Sequence, residues 1–101
     1  MARYATTFGA YEIDSLPSQV QVAICHGFFV APEHRGQGRA AHLKAAQNAT
    51  LEALGYDFGI CTVVADNVRQ KRTLERAGWR KLDSFFSKRQ DTTVEIWGFK
   101  P

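Results

Sequence analysis

A chain of 101 residues has room for a single domain, and its 45% hydrophobic and 23% charged residues exclude a disordered polymer. The longest apolar run, residues 22–31, is interrupted by Cys25, His26 and Gly27. It is far shorter than the roughly 20 residues that a membrane span needs. The net charge of +3 favours an anionic partner without identifying one.

The N-terminal residues contain no apolar core followed by a cleavage site, so we expect a cytoplasmic protein that does not associate with membranes. Cys25 and Cys61 are far apart in the sequence. We expect both to be reduced thiols that pack as small apolar residues. The three histidines, His26, His34 and His42, lack the short paired spacing of a zinc site, so no metal is expected.

The first third of the chain is predicted to be two strands. Residues 3–13 are rich in aromatic and β-branched residues and predict one strand, interrupted by Gly9. The segment DSLPS, residues 14–18, is typical of a turn. From Gln19 the pattern alternates and then becomes almost wholly apolar, which indicates a strand that runs from a wet edge into the core. Pro32 should end it.

A helix and a third strand follow. Apolar residues recur at helical spacing over residues 38–54, and Gly55 is well placed to cap the helix end. Residues 56–65 form a short, nearly continuous apolar run, which predicts a buried strand.

The last third is predicted to be a helix and a hairpin. The helix covers residues 68–77, begins at a cap formed by Asp66 or Asn67, and is closed by Gly78. Two strands then enclose the polar turn KRQD, residues 88–91. The predicted fold is a mixed α/β sheet with two helices in one domain, residues 1–101, in the order β-β-α-β-α-β-β. Its strand–helix–strand unit implies a parallel pair with a right-handed crossover.

The loop between the second strand and the first helix, RGQGRA at residues 35–40, predicts an anion site. The backbone N–H groups at the start of a helix lack intrahelical partners, and the helix end carries partial positive charge. Glycine lets a ligand approach the main chain closely. A phosphate or pyrophosphate is the natural occupant, and Arg35 and Arg39 can add charge-assisted bonds. A tight turn without a ligand is the alternative.

The glycine loop and the second helix resemble those of the GNAT superfamily of acyl-CoA-dependent N-acetyltransferases. RGQGRA fits the signature R/Q-x-x-G-x-G/A, and the preceding VAPEHR is similar to V-x-P-x-x-R. Residues 67–79, NVRQKRTLERAGW, are similar in spacing to N-x-x-A-x-x-L-Y-E-K-x-G-F. The resemblance covers residues 22–99 and implies the acyl-CoA N-acyltransferase fold in a minimal form.

The resemblance also implies a binding mode for acetyl-CoA as co-substrate. Backbone N–H groups of the loop would hold the pyrophosphate, and the strand before it would pair its backbone with the pantetheine arm in a gap beside its parallel neighbour. Asn67 would hydrogen-bond the arm. Either Arg69 or Arg72 would reach the 3′-phosphate, or both would lie on a solvated helix face. The implied cofactor-binding residues are therefore Phe28, Phe29, Val30, Arg35, Gly36, Gln37, Gly38, Arg39, Ala40 and Asn67.

The implied reaction is direct attack of a primary amine on the thioester, with an acceptor that the sequence does not identify. His26 is the candidate general base, because an imidazole titrates near neutrality; the alternative is a structural histidine. The position of the family's usual tyrosine acid is occupied by Leu74, which has no proton to give. This departure favours a second hypothesis, an acyl-CoA-binding module with weak or no turnover. A basic nucleic-acid-binding domain is a third, but no nucleic-acid motif is present, so no such partner is expected.

The family resemblance further implies two helices ahead of the central strands, which wall the acceptor site. Only about 20 residues precede the central strand here. Either a second copy of the chain supplies that wall, as a homodimer, or the site is open and takes a protein amine.

Overall fold

Six strands form one sheet in the computed structural model, which describes residues 2–101. The strands are β1 Ala2–Ala5, β2 Gly9–Leu16, β3 Gln19–Val30, β4 Phe58–Val64, β5 Arg80–Ser87 and β6 Thr92–Phe99. Their order in the sheet is β1-β2-β3-β4-β6-β5, and β3 and β4 are the parallel pair. The helices are α1 Arg39–Ala53 and α2 Val68–Arg76, with a 3-10 turn at Pro32–His34. The predicted mixed α/β fold with two helices is confirmed.

The first predicted strand is wrong in one respect, because it is a hairpin of two strands. The Thr6 hydroxyl oxygen accepts hydrogen bonds from the N–H groups of Phe8 and Gly9, at 3.1 and 3.2 Å, and thereby reverses the chain. Gly9 then passes so close to β3 that a Cβ there would lie 1.9 Å from the Phe29 carbonyl oxygen. The glycine that suggested an interruption is required by this contact.

The predicted turn at residues 14–18 is shorter than expected. Asp14 to Leu16 continue β2, and the reversal uses only Pro17 and Ser18, which has a φ of 70°. Pairing with β3 extends the strand, since Asp14 lies opposite Ile24 in the antiparallel register. Local turn propensity is therefore overridden by the partner strand.

Both helices pack on the same face of the sheet. The Asn48 side chain of α1 donates to the carbonyl of Ala77 at 2.9 Å and accepts from Trp79 Nε1 at 2.9 Å, which joins α1 to the end of α2. Tyr11 of β2 meets Thr50 of α1 at 2.8 Å between hydroxyl oxygens. The core lies between the helices and this face, and its buried residues include Ile13, Ala23, Cys25, Leu43, Leu51, Cys61, Val63, Leu74 and Trp97. Within residues 2–101 the opposite face carries no helix.

The carboxylate of Glu95 is buried on β6, next to the edge strand β5. Glu95 of β6 accepts from Trp97 Nε1 at 3.0 Å and Lys71 Nζ at 3.3 Å, and Lys81 Nζ lies 3.7 Å away. Although burial favours the neutral acid, the Trp97 and Lys71 hydrogen bonds, helped by both lysine charges, hold the pKa of Glu95 below its ordinary value.

We therefore expect Glu95 to make stability depend on acid. A lowered native pKa contributes stability above the unfolded value of about 4.3, and this is lost as the pH falls through the native value. Glu95→Gln should lower the unfolding free energy at neutral pH by about 1–3 kcal/mol and weaken its decline in acid. Urea denaturation at neutral pH and near pH 3 measures both effects.

Lys81→Gln, at the half-exposed lysine, is the control and should change stability by less than about 1 kcal/mol. Equal stability of Glu95→Gln and the parent at neutral pH would contradict the prediction.

Candidate active site

The two parallel strands separate and open a gap at their carboxyl ends. They pair only at Val22↔Phe58, Ala23↔Gly59 and Ile24↔Ile60, although β3 continues to Val30 and β4 to Val64. On its other side β3 stays paired with β2 as far as Val30. The backbone of Phe28 to Val30 thus lacks a strand partner on the side of the gap.

A β-bulge in β3 accompanies the divergence. The register with β2 shifts between Ala10 and Glu12, opposite Gly27, whose φ is +61°. A Cβ at Gly27 would lie 3.0 Å from the Glu12 carboxyl group. Both this close contact and the positive φ favour glycine at this position. A bulge bends its strand and increases the local twist, which turns β3 away from β4.

The gap contains a cavity of about 400 Å³ that leads towards the glycine loop. A second cavity of about 510 Å³ lies between that loop and α2. The two share Phe28, Asn67 and Gln70 in their walls, so they adjoin. We call them the gap cavity and the loop cavity.

The glycine loop presents unpaired amides to the loop cavity. Gly36 and Gly38 have φ values of 79° and 73°, and a Cβ at either would meet nothing within 4 Å. Conformation therefore favours glycine at these positions, and the space above them is open. Gly38 precedes the first turn of α1, and no side chain caps that helix. Within residues 2–101, the N–H groups of Gly36, Gln37 and Gly38 donate no hydrogen bond. They remain available to an anion together with the first amides of the helix.

The side chains around the loop are partly committed elsewhere. Arg35 donates through Nε to the Val30 carbonyl at 2.9 Å and ties the loop to the end of β3. The Arg39 guanidinium lies 4.1 Å above the ring of Phe8. Gln37 donates its side-chain amide to the carbonyl of Glu33 at 3.2 Å. The main chain, rather than these side chains, is the part of the loop that is free to bind.

Of the remaining predicted cofactor-binding residues, all but Phe29 line one or both cavities. Phe28, Val30 and Ala40 line the loop cavity, whereas the side chain of Phe29 is exposed, under the guanidinium of Arg35, and lines neither cavity. Asn67 accepts from the Gln70 N–H at 3.1 Å as the N-cap of α2. It lines both cavities.

One face of α2 forms the far wall of the loop cavity. Arg69 lies in this wall, Arg72 does not, and Gln70, Thr73 and Arg76 lie there as well. Gln70, Thr73 and Arg76 were not predicted from the sequence to belong to the site. Their spacing of three residues is the signal that places them on one helix face with each other.

His26 lies in the wall of the gap cavity between two carboxylates. Its Nε2 hydrogen-bonds Asp14 Oδ2 at 2.7 Å, and its Nδ1 lies 3.0 Å from Glu12 Oε2. The His26 side chain is 39% exposed, on the helix-free face of the sheet. The hydrogen bond from His26 lowers the pKa of the Asp14 carboxyl group. Glu12 and Asp14 were not predicted from the sequence as partners of His26. Asp14 had been expected in a turn.

Within residues 2–101, none of the residues considered as general acid is free to act at this point. Leu74 is fully buried in the core. Lys71 is engaged with Glu95, and Thr73 donates its hydroxyl to the carbonyl of Arg69 at 3.2 Å.

Neither a metal site nor a membrane-spanning helix is present in residues 2–101. Residues 2–101 contain no group of three or more His, Cys, Asp and Glu side chains arranged to hold a metal ion. Neither α1 nor α2 is long and apolar enough to cross a membrane.

Solved structures of acetyltransferases share the fold. An IAA acetyltransferase from Bacillus cereus superposes with a TM-score of 0.82 over 99% of this chain and 74% of its own, at 12% identity. A spermidine N-acetyltransferase from Vibrio cholerae gives 0.77 over 97% of this chain and 63% of its own, at 18% identity. A Salmonella typhimurium protein whose structure includes acetyl-CoA gives 0.78, at 13% identity, over 92% and 57%. Among curated proteins, no sequence matches this chain.

These similarities differ in what they show. At such identities the solved structures establish the fold alone, and this chain spans 58% and 63% of the length of two spermidine N-acetyltransferase structures. The profile of the Acetyltransferase (GNAT) family, in contrast, matches residues 4–79 directly. That match covers most of the chain and includes both motifs, the loop and the start of α2, so the protein belongs to the GNAT family of acetyltransferases.

Proposed function

We propose that this protein transfers the acetyl group of acetyl-CoA to a primary amine. The observation that carries the proposal is the continuous path formed by the unpaired loop amides and the gap between β3 and β4. An anion fits the loop, because Gly36 and Gly38 leave space there and the helix end is positive. An extended chain fits the gap, where the β3 backbone has no strand partner.

In this proposal acetyl-CoA supplies the activated acyl group, and the chain positions it. The loop amides hold the pyrophosphate, Asn67 hydrogen-bonds the arm, and the backbone at Phe28 to Val30, which has no strand partner beside the gap, pairs with the pantetheine amides. A backbone N–H on that edge is a suitable donor to the thioester carbonyl oxygen as negative charge develops there.

His26 is proposed to accept, at Nδ1, the proton that the neutral amine loses as it attacks, while Nε2 keeps its hydrogen bond to Asp14. An amine arrives protonated near neutral pH, and the carboxylates of Glu12 and Asp14 attract it to the mouth of the gap, where it gives its first proton to solvent. Once the imidazole has taken a proton, the same two carboxylates stabilise its positive charge. Since no side chain is assigned as acid, the departing thiolate takes its proton from solvent.

The second candidate function is an acyl-CoA-binding module without turnover, and the buried Leu74 favours it. Binding of CoA is common to both candidates, whereas formation of an acetylated amine belongs to the enzyme alone. The homodimer and the open acceptor site also stay predictions, and sedimentation of the purified chain at several concentrations distinguishes them.

The experiment that tests the proposal is calorimetric titration with acetyl-CoA and with CoA at two salt concentrations, followed by an assay of thiol release with a panel of amines. We expect saturable binding at one site per chain and amine-dependent release of CoA. Binding without release with any amine in the panel would favour the module. The absence of binding in protein shown to be folded would overturn both candidates.

A further inference from the structure

Two polar side chains of α1, Lys44 and Gln47, are buried in the wall of the gap cavity and make no hydrogen bond within residues 2–101. Lys44 is 1% exposed and Gln47 is 0% exposed. They are three residues apart, which places them next to each other on one helix face. Neither the amide nitrogen nor the amide oxygen of Gln47 has a hydrogen bond within residues 2–101.

The ammonium group of Lys44 is surrounded by rings and thiols. Its Nζ lies 4.1 Å from the centroid of the Trp79 ring and 5.1 Å from that of Phe28. Burial lowers the pKa of Lys44, because the charged form is costly away from water. Burial also raises the pKa of Cys25 to about 12 and raises that of Cys61, so neither thiol supplies a thiolate partner near neutral pH.

No carboxylate neutralises this cation in the part of the chain that the structure describes. The carboxylates of Glu12 and Asp14 contact His26 on the other side of the sheet, and no acidic residue of the described chain lines the gap cavity. Buried charges and amides are almost always paired, since an unpaired one costs several kcal/mol. Within residues 2–101 the cavity wall thus offers a lysine that contacts aromatic rings and no carboxylate, and an amide without a hydrogen-bond partner, on the route from the loop.

We propose that the gap cavity binds acyl-CoA donors whose acyl chain ends in a carboxylate, with Lys44 and Gln47 as the residues that select it. This inference rests on the proposed function, because it assigns the donor class of the same site. The Lys44 ammonium and the Gln47 amide nitrogen donate to the carboxylate, and the Gln47 oxygen can accept from an N–H of the CoA arm. A neutral acyl group would leave the buried charge unpaired.

Transfer of such a group follows the same chemistry as acetyl transfer. The amine nitrogen forms a bond to the acyl carbonyl carbon, the carbon–sulfur bond breaks, and CoA leaves as thiolate. The proton lost by the amine goes to His26, and the distal carboxylate takes no part in bond making.

The test compares succinyl-CoA, acetyl-CoA and CoA by calorimetric titration of the full chain. We expect succinyl-CoA to bind roughly tenfold or more tightly than acetyl-CoA, from one or two charge-assisted hydrogen bonds. In Lys44→Met the ratio of the two dissociation constants should fall to near one, and in Gln47→Leu it should fall in the same direction. Lys88→Met, at an exposed turn lysine, is the matched control and should keep the parent ratio.

Thermal unfolding shows whether the variants are folded, and Lys44→Met should unfold at a higher temperature than the parent, because it removes a buried charge. Equal affinity of the parent for succinyl-CoA and acetyl-CoA would overturn the inference and leave the proposed function intact. A ratio unchanged in folded Lys44→Met would also overturn it. Failure of all three ligands to bind folded parent protein would overturn the proposed function and this inference with it.

Discussion

Gly38→Asp will bind acetyl-CoA about 100-fold more weakly than the parent protein. The new carboxylate would stand at the start of α1, beside the free amides that are proposed to hold the pyrophosphate. A negative charge a few ångströms from a bound phosphate costs roughly 2–3 kcal/mol in a partly solvated site. Calorimetric titration at low and at physiological salt measures the loss, and salt should reduce it.

Gly38→Asn is the matched control for this change. Asparagine has the same shape as aspartate, also tolerates the left-handed φ of 73° at this position, and carries no charge. Both side chains are good helix N-caps, so both variants should stay folded. We expect Gly38→Asn to lose less than about tenfold in affinity. Equal losses in the two variants would contradict an anion at the loop and would point to backbone strain instead.

His26→Gln will lower kcat/KM for amine acetylation by about 100-fold or more, the usual contribution of a positioned general base. Glutamine cannot carry the amine's proton. Thiol release with a fixed amine gives kcat/KM, and calorimetry with CoA reports donor binding separately. The pKa of Asp14 should also rise in this variant, since the hydrogen bond from His26 is the main cause of its lowering. Carboxyl chemical shifts followed through a pH titration show that rise.

Glu12→Gln serves as the comparison for His26→Gln. It removes one of the two charges beside the ring, 3.0 Å from Nδ1, and keeps the size of the side chain. We expect a smaller loss, about tenfold, because Asp14 still holds the imidazole. If His26→Gln instead lost stability with kcat/KM unchanged, His26 would be a structural residue, the alternative that the sequence left open.

Features with local causes were predictable from the sequence. The strand exit at Pro32, the glycine loop and a cap at Asp66 or Asn67, which the structure places at Asn67, depend on backbone conformation and on hydrogen bonds a few residues away. The final hairpin was also predicted with almost its observed bounds, because polar turn residues separate two runs of strand-forming residues. The hairpin at Thr6 was missed, although its cause is local, since a threonine hydroxyl in a turn is a weak signal.

The other features of the site depend on contacts between residues far apart in the chain. His26 and Asp14 are twelve residues apart and meet only because β2 and β3 align in one register, with a bulge at Gly27. Lys44 is polar and would be expected on the solvent side of its helix, yet packing against Trp79 buries it.

The amino-acid sequence alone thus determined the family, the order of most elements and the amide loop. Each of these depends on a pattern within a short segment of the chain. Tertiary structure alone decided where β3 and β4 part, which carboxylates flank His26, and that Lys44 and Gln47 are buried in the wall of the gap cavity. Those features depend on contacts between residues far apart in the chain, and the free energy of such contacts is set by the register and packing of the whole sheet.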